Sequence, residues 1–129
     1  MRAIFDTNVF VGAAFNRRSA SARLIEAVRE GRIEMIWCEA TRAETCRILT
    51  KIPPISWEAV EDVFLAAHEA PVVVDLADVA FVTDPEDRKF AALSLAEACP
   101  IVTSDDDLLS HADKLDVWKP GAFWERLQA

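Results

Sequence analysis

The sequence predicts an α/β fold, a central parallel sheet sandwiched by helices. Three observations carry that prediction. Short apolar runs alternate with longer stretches whose apolar residues recur at helical spacing, and strands separated by helices favour a parallel sheet. No linker, repeat or low-complexity tract divides the 129 residues, so a single domain over residues 1–129 is expected. Aspartates stand just beyond two of the apolar runs, where open α/β sheets bind their ligands.

The elements are predicted in order as follows. Arg2–Phe5 reads as a short strand and Asn8–Phe15 as a helix. Ser19–Glu30 is a second helix, with Ser19 as its cap, Leu24, Ile25 and Val28 on its apolar stripe, and Gly31 closing it. Ile33–Cys38 reads as a buried strand, and Thr41–Lys51 as a helix ended by Pro53-Pro54. Ser56–Glu69 reads as a helix with Val60, Val63, Phe64 and Ala67 on one face. Val72–Val74 and Ala80–Val82 are candidate strands. Asp84–Ala98 is a helix capped by Asp84 with Pro85 at its first position. Ile101–Thr103 is a strand, Asp106–His111 a short helix, Val117–Trp118 a last strand, and Pro120 opens a C-terminal helical turn.

Composition excludes several function classes. Three glycines leave no G-x-G-x-x-G and no Walker-type loop. The cysteines, Cys38, Cys46 and Cys99, are odd in number and lack a C-x-x-C pair, which argues against a disulfide scaffold or a structural zinc site and makes them core residues of a cytoplasmic protein. No apolar run is long enough for a membrane span, so no membrane partner is expected. The net charge of −8 falls wholly on residues 65–129; residues 1–64 hold nine basic and nine acidic side chains. That balance argues against a non-specific nucleic-acid coat, because phosphate binding is driven by Lys and Arg, but it leaves room for a nuclease whose cations offset a carboxylate cluster. Arg17, Arg18, Arg23, Arg29 and Arg32 form a local basic zone, or simply a solvated helix surface.

The candidate chemistry lies in carboxylates. Asp6 follows Ala3-Ile4-Phe5, and Asp105 follows the strand Ile101–Thr103. Side by side in a partly buried cleft they would be costly to ionise together unless a cation bound. Carboxylates without a histidine partner suit Mg²⁺ or Mn²⁺, which polarise phosphoryl oxygens. Each acid also has a plainer reading. Asp6 and Asp105 can be helix caps. Glu44 fits a capping box with Thr41, and Asp87 is a first-turn acid favoured by the helix dipole.

The order of these acids along the chain resembles the PIN-domain nucleases. The match comprises Phe5-Asp6-Thr7-Asn8-Val9, Glu44 in an early helix, Asp84-Pro85-Glu86-Asp87 before a long alanine-rich helix, and Val102-Thr103-Ser104-Asp105-Asp106-Asp107-Leu108-Leu109. The resemblance implies a compact α/β/α domain with Asp6, Asp87 and Asp105 as metal-binding carboxylates for Mg²⁺ or Mn²⁺. It gives Glu44 a part in catalysis, supporting a metal-bound water or a second ion. It makes Asn8 and Thr103 orienting groups, with Asp107 as an outer ligand. Ser104 stands where many relatives have glycine. The implied activity is a Mg²⁺- or Mn²⁺-dependent endoribonuclease hydrolysing phosphodiester bonds of single-stranded or looped RNA by metal-activated water, as the toxin of a type II toxin–antitoxin pair. A cognate antitoxin and a homodimer are the implied protein partners. Arg17, Arg18 and Arg23 are the first candidates to hold substrate phosphates, ahead of Arg88 and Lys89. Tyrosine is absent, so base stacking would fall to Phe, Trp or Arg; Phe15 and Trp37 qualify by position but read more simply as core.

Two alternatives differ in class. One is a PIN-fold module that binds RNA or protein without turnover. The other is a phosphoaspartyl-type phosphatase, which would want a second aspartate where this chain has Asn8, or a phosphoacceptor, which would want an acidic pair after the first strand and a lysine after the last, neither of them in place here.

Overall fold

The computed structural model describes residues 1–71 and 76–129. Among them four strands form one sheet: β1 (Arg2–Phe5), β2 (Glu34–Met35), β3 (Ile101–Val102) and β4 (Val117–Trp118), in the order β2-β1-β3-β4. All three pairings are parallel, with Ala3 opposite Met35, Ile4 opposite Ile101 and Val102 opposite Trp118. Six helices accompany them: α1 (Thr7–Phe15), α2 (Ala20–Arg29), α3 (Glu39–Thr50), α4 (Arg88–Glu97), α5 (Asp106–Leu109) and α6 (Pro120–Gln128).

Alternation along the strands divides the core in two. Ala3, Phe5 and Val102 pack with Phe10, Leu24 and Phe123 on the side of α1, α2 and α6. Ile4 and Ile101 pack with Phe90, Leu93 and Leu108 on the other side. The short central strands are therefore apolar on both faces, as a covered parallel sheet requires.

Several predicted elements hold. Ser19 caps α2 by accepting the Ala22 N–H, and Gly31, at φ +77°, takes the left-handed conformation that ends it. Asp84 accepts the Glu86 N–H, and Pro85 opens a 3₁₀ turn, Pro85–Asp87, that leads into α4. The C-terminal turn is longer than expected: α6 has nine residues, and the fully buried Phe123 anchors it, a burial worth on the order of 2–3 kcal/mol.

Others are corrected. Ser56–Glu69 is no single helix but three 3₁₀ turns, Trp57–Ala59, Glu61–Val63 and Ala66–His68. A continuous helix would use the Leu65 carbonyl for the Glu69 N–H; here that carbonyl accepts the Trp37 indole N–H at 2.9 Å and the His68 N–H at 3.0 Å. Phe64 turns into an aromatic cluster with Phe10, Trp37 and Trp57. The strand at Ile33–Cys38 shrinks to Glu34–Met35 plus a bridge from Trp37 to Glu69. Ala80–Val82 forms a turn after the 3₁₀ segment Leu76–Val79, not a strand, and Val72–Val74 lies outside the described residues. α3 starts two residues before the expected Thr41. Cys38 is its cap, and Thr41 closes the box by accepting the Cys38 N–H, so Glu44 is free of the capping duty first read for it. Phe15, expected in the core, is 62% exposed, whereas Trp37 is buried as expected. Cys38 and Cys99 are buried and Cys46 is half-buried.

Candidate active site

The sheet order defines a crevice. From β1 the chain moves outward to β2, then returns past β1 to lay down β3 and β4, so its direction reverses between β1 and β3. The carboxyl ends of two strands at such a reversal leave a gap that helices on opposite faces cannot fill. Asp6 is the residue after β1, and Asp105 lies three residues beyond β3.

The cap reading and the site reading of Asp6 prove compatible. One oxygen accepts the Thr7 N–H at 2.7 Å, capping α1. The other accepts the Thr103 hydroxyl at 2.8 Å. That hydroxyl in turn accepts the Asp105 N–H at 2.9 Å and the Asn8 side-chain amide at 3.4 Å, so its one proton and both lone pairs are used. Asn8 Oδ1 receives the Ser104 N–H at 3.3 Å, a backbone contact that is indifferent to serine or glycine at 104. Asp105 caps α5 through the Asp107 N–H. Asp107 accepts the Asp84 N–H at 3.0 Å, tying the turn that carries Asp87 to α5.

These ties bring together three acids from three separate segments. One carboxylate oxygen each from Asp6, Asp87 and Asp105 lies within 4.8 Å of the other two. Asp6 and Asp87 are buried and Asp105 is half-buried. Burial pushes Asp6 up to about 6, against the Thr103 and Thr7 hydrogen bonds and with help from the charges of Asp105 and Glu44. Asp87 goes up to about 8, again mainly by burial, then by the charges of Asp6 and Asp105 and a hydrogen bond with Asp105. Asp87 Oδ2 is buried without a hydrogen-bond partner.

An orphaned buried oxygen among crowded carboxylates fits a hard cation. Oxygen ligands on opposite sides of such an ion stand roughly 4–5 Å apart, which matches the observed cluster. The three aspartates could hold Mg²⁺ or Mn²⁺.

Glu44 has different company. It is buried on α3, whose next residue, Thr45, shares a 3.0 Å hydroxyl hydrogen bond with Thr7 and so sets α3 against the start of α1. Its carboxylate receives Arg47 Nη2 at 2.7 Å and Lys89 Nζ at 3.1 Å. Burial raises its pKa, but the hydrogen bonds from Arg47 and Lys89 outweigh burial and hold it below the ordinary value. Arg47 escaped the sequence reading. Its signal was present in the spacing: Glu44/Arg47 and Glu86/Lys89 are each three apart on a helical turn.

The structure does not bring Arg17, Arg18 and Arg23 to the cluster. They follow the C-terminal end of α1, a helix about 13 Å long with Asp6 at its other end. Arg17 and Arg23 line a groove of about 740 Å³ that contains none of the four acids, and Arg23 lies over the Trp124 ring at 6.0 Å. Arg88 donates Nε to the Val82 carbonyl at 2.7 Å.

The fold and the acids thus define a single α/β domain with a cluster of carboxylates at its sheet crossover, where a divalent cation could sit. A PIN-domain family model matches residues 2–107. The chain belongs to the PIN-domain family, whose members are nucleases, and this displaces the phosphoaspartyl alternative. A search among curated proteins gives no match. Among solved structures the chain is similar to VapBC2 from Rickettsia felis, determined bound to a DNA fragment from its promoter. The sequence identity is 16% and the TM-score 0.59, over 92% of this chain and 98% of that one. At that identity the likeness shows the fold. No described helix is long and apolar enough to cross a membrane.

Proposed function

We propose that this protein is a Mg²⁺- or Mn²⁺-dependent endoribonuclease that hydrolyses phosphodiester bonds of single-stranded or looped RNA. The observation that carries the reading is the convergence of Asp6, Asp87 and Asp105, with a buried Asp87 oxygen left unpartnered. These three residues would hold the cation. When bound, it would polarise a phosphoryl oxygen and lower the pKa of a water molecule. The chain's own work is positioning. The Thr103 hydroxyl fixes Asp6 and, through the Asp105 N–H, the turn beyond β3. Asn8 holds Thr103 and Ser104, and Asp107 holds the backbone before Asp87. No side chain is asked to be a nucleophile. Unstacked RNA suits an open crevice better than a stacked duplex.

The VapBC2 likeness extends the reading to the toxin of a type II toxin–antitoxin pair, acting in the cytoplasm, restrained by a cognate antitoxin and able to form a homodimer. The test is cleavage of mixed single-stranded RNA with Mn²⁺, Mg²⁺ or EDTA, parent against Asp6→Asn. Cleavage only by the parent, and only with a divalent ion, is expected. Activity that survives EDTA or the substitution would overturn the mechanism.

A further inference from the structure

One charged cluster is left over by that reading. Arg47 and Lys89 meet on two carboxylates at once. Glu44 takes both at 2.7 and 3.1 Å, and Glu86 takes Lys89 at 3.2 Å and Arg47 at 3.7 Å. The two acids are not equivalent. The Glu44 side chain is 8% exposed and that of Glu86 is 56% exposed. A buried carboxylate needs its cations, because without them it would be an unpaired charge out of water. An exposed ion pair is weak and easily exchanged. Glu44 is therefore the fixed anchor and Glu86 the replaceable partner.

The position suits a substrate. Lys89 lies two residues after Asp87, and the Thr7–Thr45 bond holds α3 against the start of α1 beside Asp6. Both cations keep donors in reserve: Lys89 has three N–H groups and two partners, and Arg47 Nη1 takes part in no hydrogen bond among the described residues. A phosphodiester carries one negative charge, as the Glu86 carboxylate does. We propose that Arg47 and Lys89, seated on Glu44, form a phosphate clamp that receives the RNA backbone beside the aspartate cluster, and that Glu86 occupies this clamp until the RNA displaces it. The inference rests on the nuclease reading for the identity of the polyanion. It makes Glu44 a positioning residue for two cations rather than a metal ligand.

The test is anisotropy of a labelled single-stranded RNA oligonucleotide in Ca²⁺ across a salt series, with circular dichroism to verify folding. Lys89→Gln and Arg47→Gln should each weaken binding about 5–10-fold and flatten the log–log salt slope by about 0.7. Glu86→Gln should tighten binding about 3-fold, while removal of another exposed acid on α6, Glu125→Gln, should leave it unchanged. Glu44→Gln should weaken RNA binding yet keep Mn²⁺ affinity; loss of Mn²⁺ affinity would return Glu44 to the metal and overturn its anchoring role. If the parent binds RNA and neither cation variant changes affinity or slope, or if Glu86→Gln does not tighten binding, the clamp is wrong and the nuclease reading stands. If the parent neither binds nor cleaves any RNA, both fall.

Discussion

Asp87 and Glu44 are almost equally buried, at 7% and 8% exposure, and their acidities move in opposite directions. Asp87 is surrounded by Asp6, Asp105 and Asp84 and holds its proton up to about 8. Glu44 meets Arg47 and Lys89 and stays ionised below the ordinary range. Burial is the first cause in both, so burial alone does not decide the charge state; the sign of the neighbours does. A region that supplies its own counter-ions has no need of a metal. A region that concentrates carboxylates and leaves one oxygen unpartnered could hold one.

The largest effect that sharpens this contrast is loss of the cluster. Asp6→Asn should lower the cleavage rate by at least about 100-fold, beyond the usual cost of losing a group that merely orients a ligand, and cleavage kinetics in Mn²⁺ check it. Thr103→Val comes next. It removes the hydroxyl that joins Asp6, Asp105 and Asn8, and should weaken Mn²⁺ binding by about 10–100-fold in a calorimetric titration while the domain stays folded. A Thr103→Val protein with unaltered Mn²⁺ affinity would show that the hydroxyl serves the fold alone.

The metal-free protein should also reveal the contrast in its pH dependence. Asp6 and Asp87 have folded pKa values above the unfolded one, near 3.8, so the folded state binds more protons between them. Their stabilising contribution is present in acid and is lost as pH rises through about 6 for Asp6 and about 8 for Asp87. Glu44 has the opposite sign: its contribution is present above its unfolded pKa and is lost as pH falls through its depressed folded value. Asp87→Asn should therefore stabilise the metal-free protein at pH 8, by on the order of 1–3 kcal/mol, and flatten the decline in thermal midpoint from pH 5 to pH 9. Glu44→Gln should leave that decline in place and cost about 1 kcal/mol near neutrality. Equal pH profiles for the two variants would break the contrast.

Much of this was legible in the sequence, because strand-end aspartates and capped helices are local signals. Phe5-Asp6 and Val102-Thr103 mark the ends of β1 and β3 by apolar run and first polar residue, and Ser19, Gly31 and Pro85 mark helix ends by their own chemistry. What failed depended on distant partners. Ser56–Glu69 has a helical apolar pattern, but the Trp37 indole, 28 residues before Leu65, and the His68 N–H share the carbonyl a helix would give to Glu69. Nearness along the chain to Asp6 did not place Arg17, Arg18 and Arg23 beside the aspartates, because α1 carries them to its far end. Lys89 and Arg47 could be paired with Glu44 only once α3 and α4 were side by side.

The central claim is that Asp6, Asp87 and Asp105 make one cation site whose protons a metal must displace. Mn²⁺ titration calorimetry at pH 7, repeated in buffers of different ionisation enthalpy, counts those protons directly. With Asp87 at about 8 and Asp6 at about 6, saturable binding should release close to one proton at pH 7, more at pH 5 and almost none at pH 9.5, and Asp87→Asn should abolish the release at pH 7. Heats that are identical in every buffer, or Mn²⁺ binding undiminished in Asp87→Asn, would contradict it.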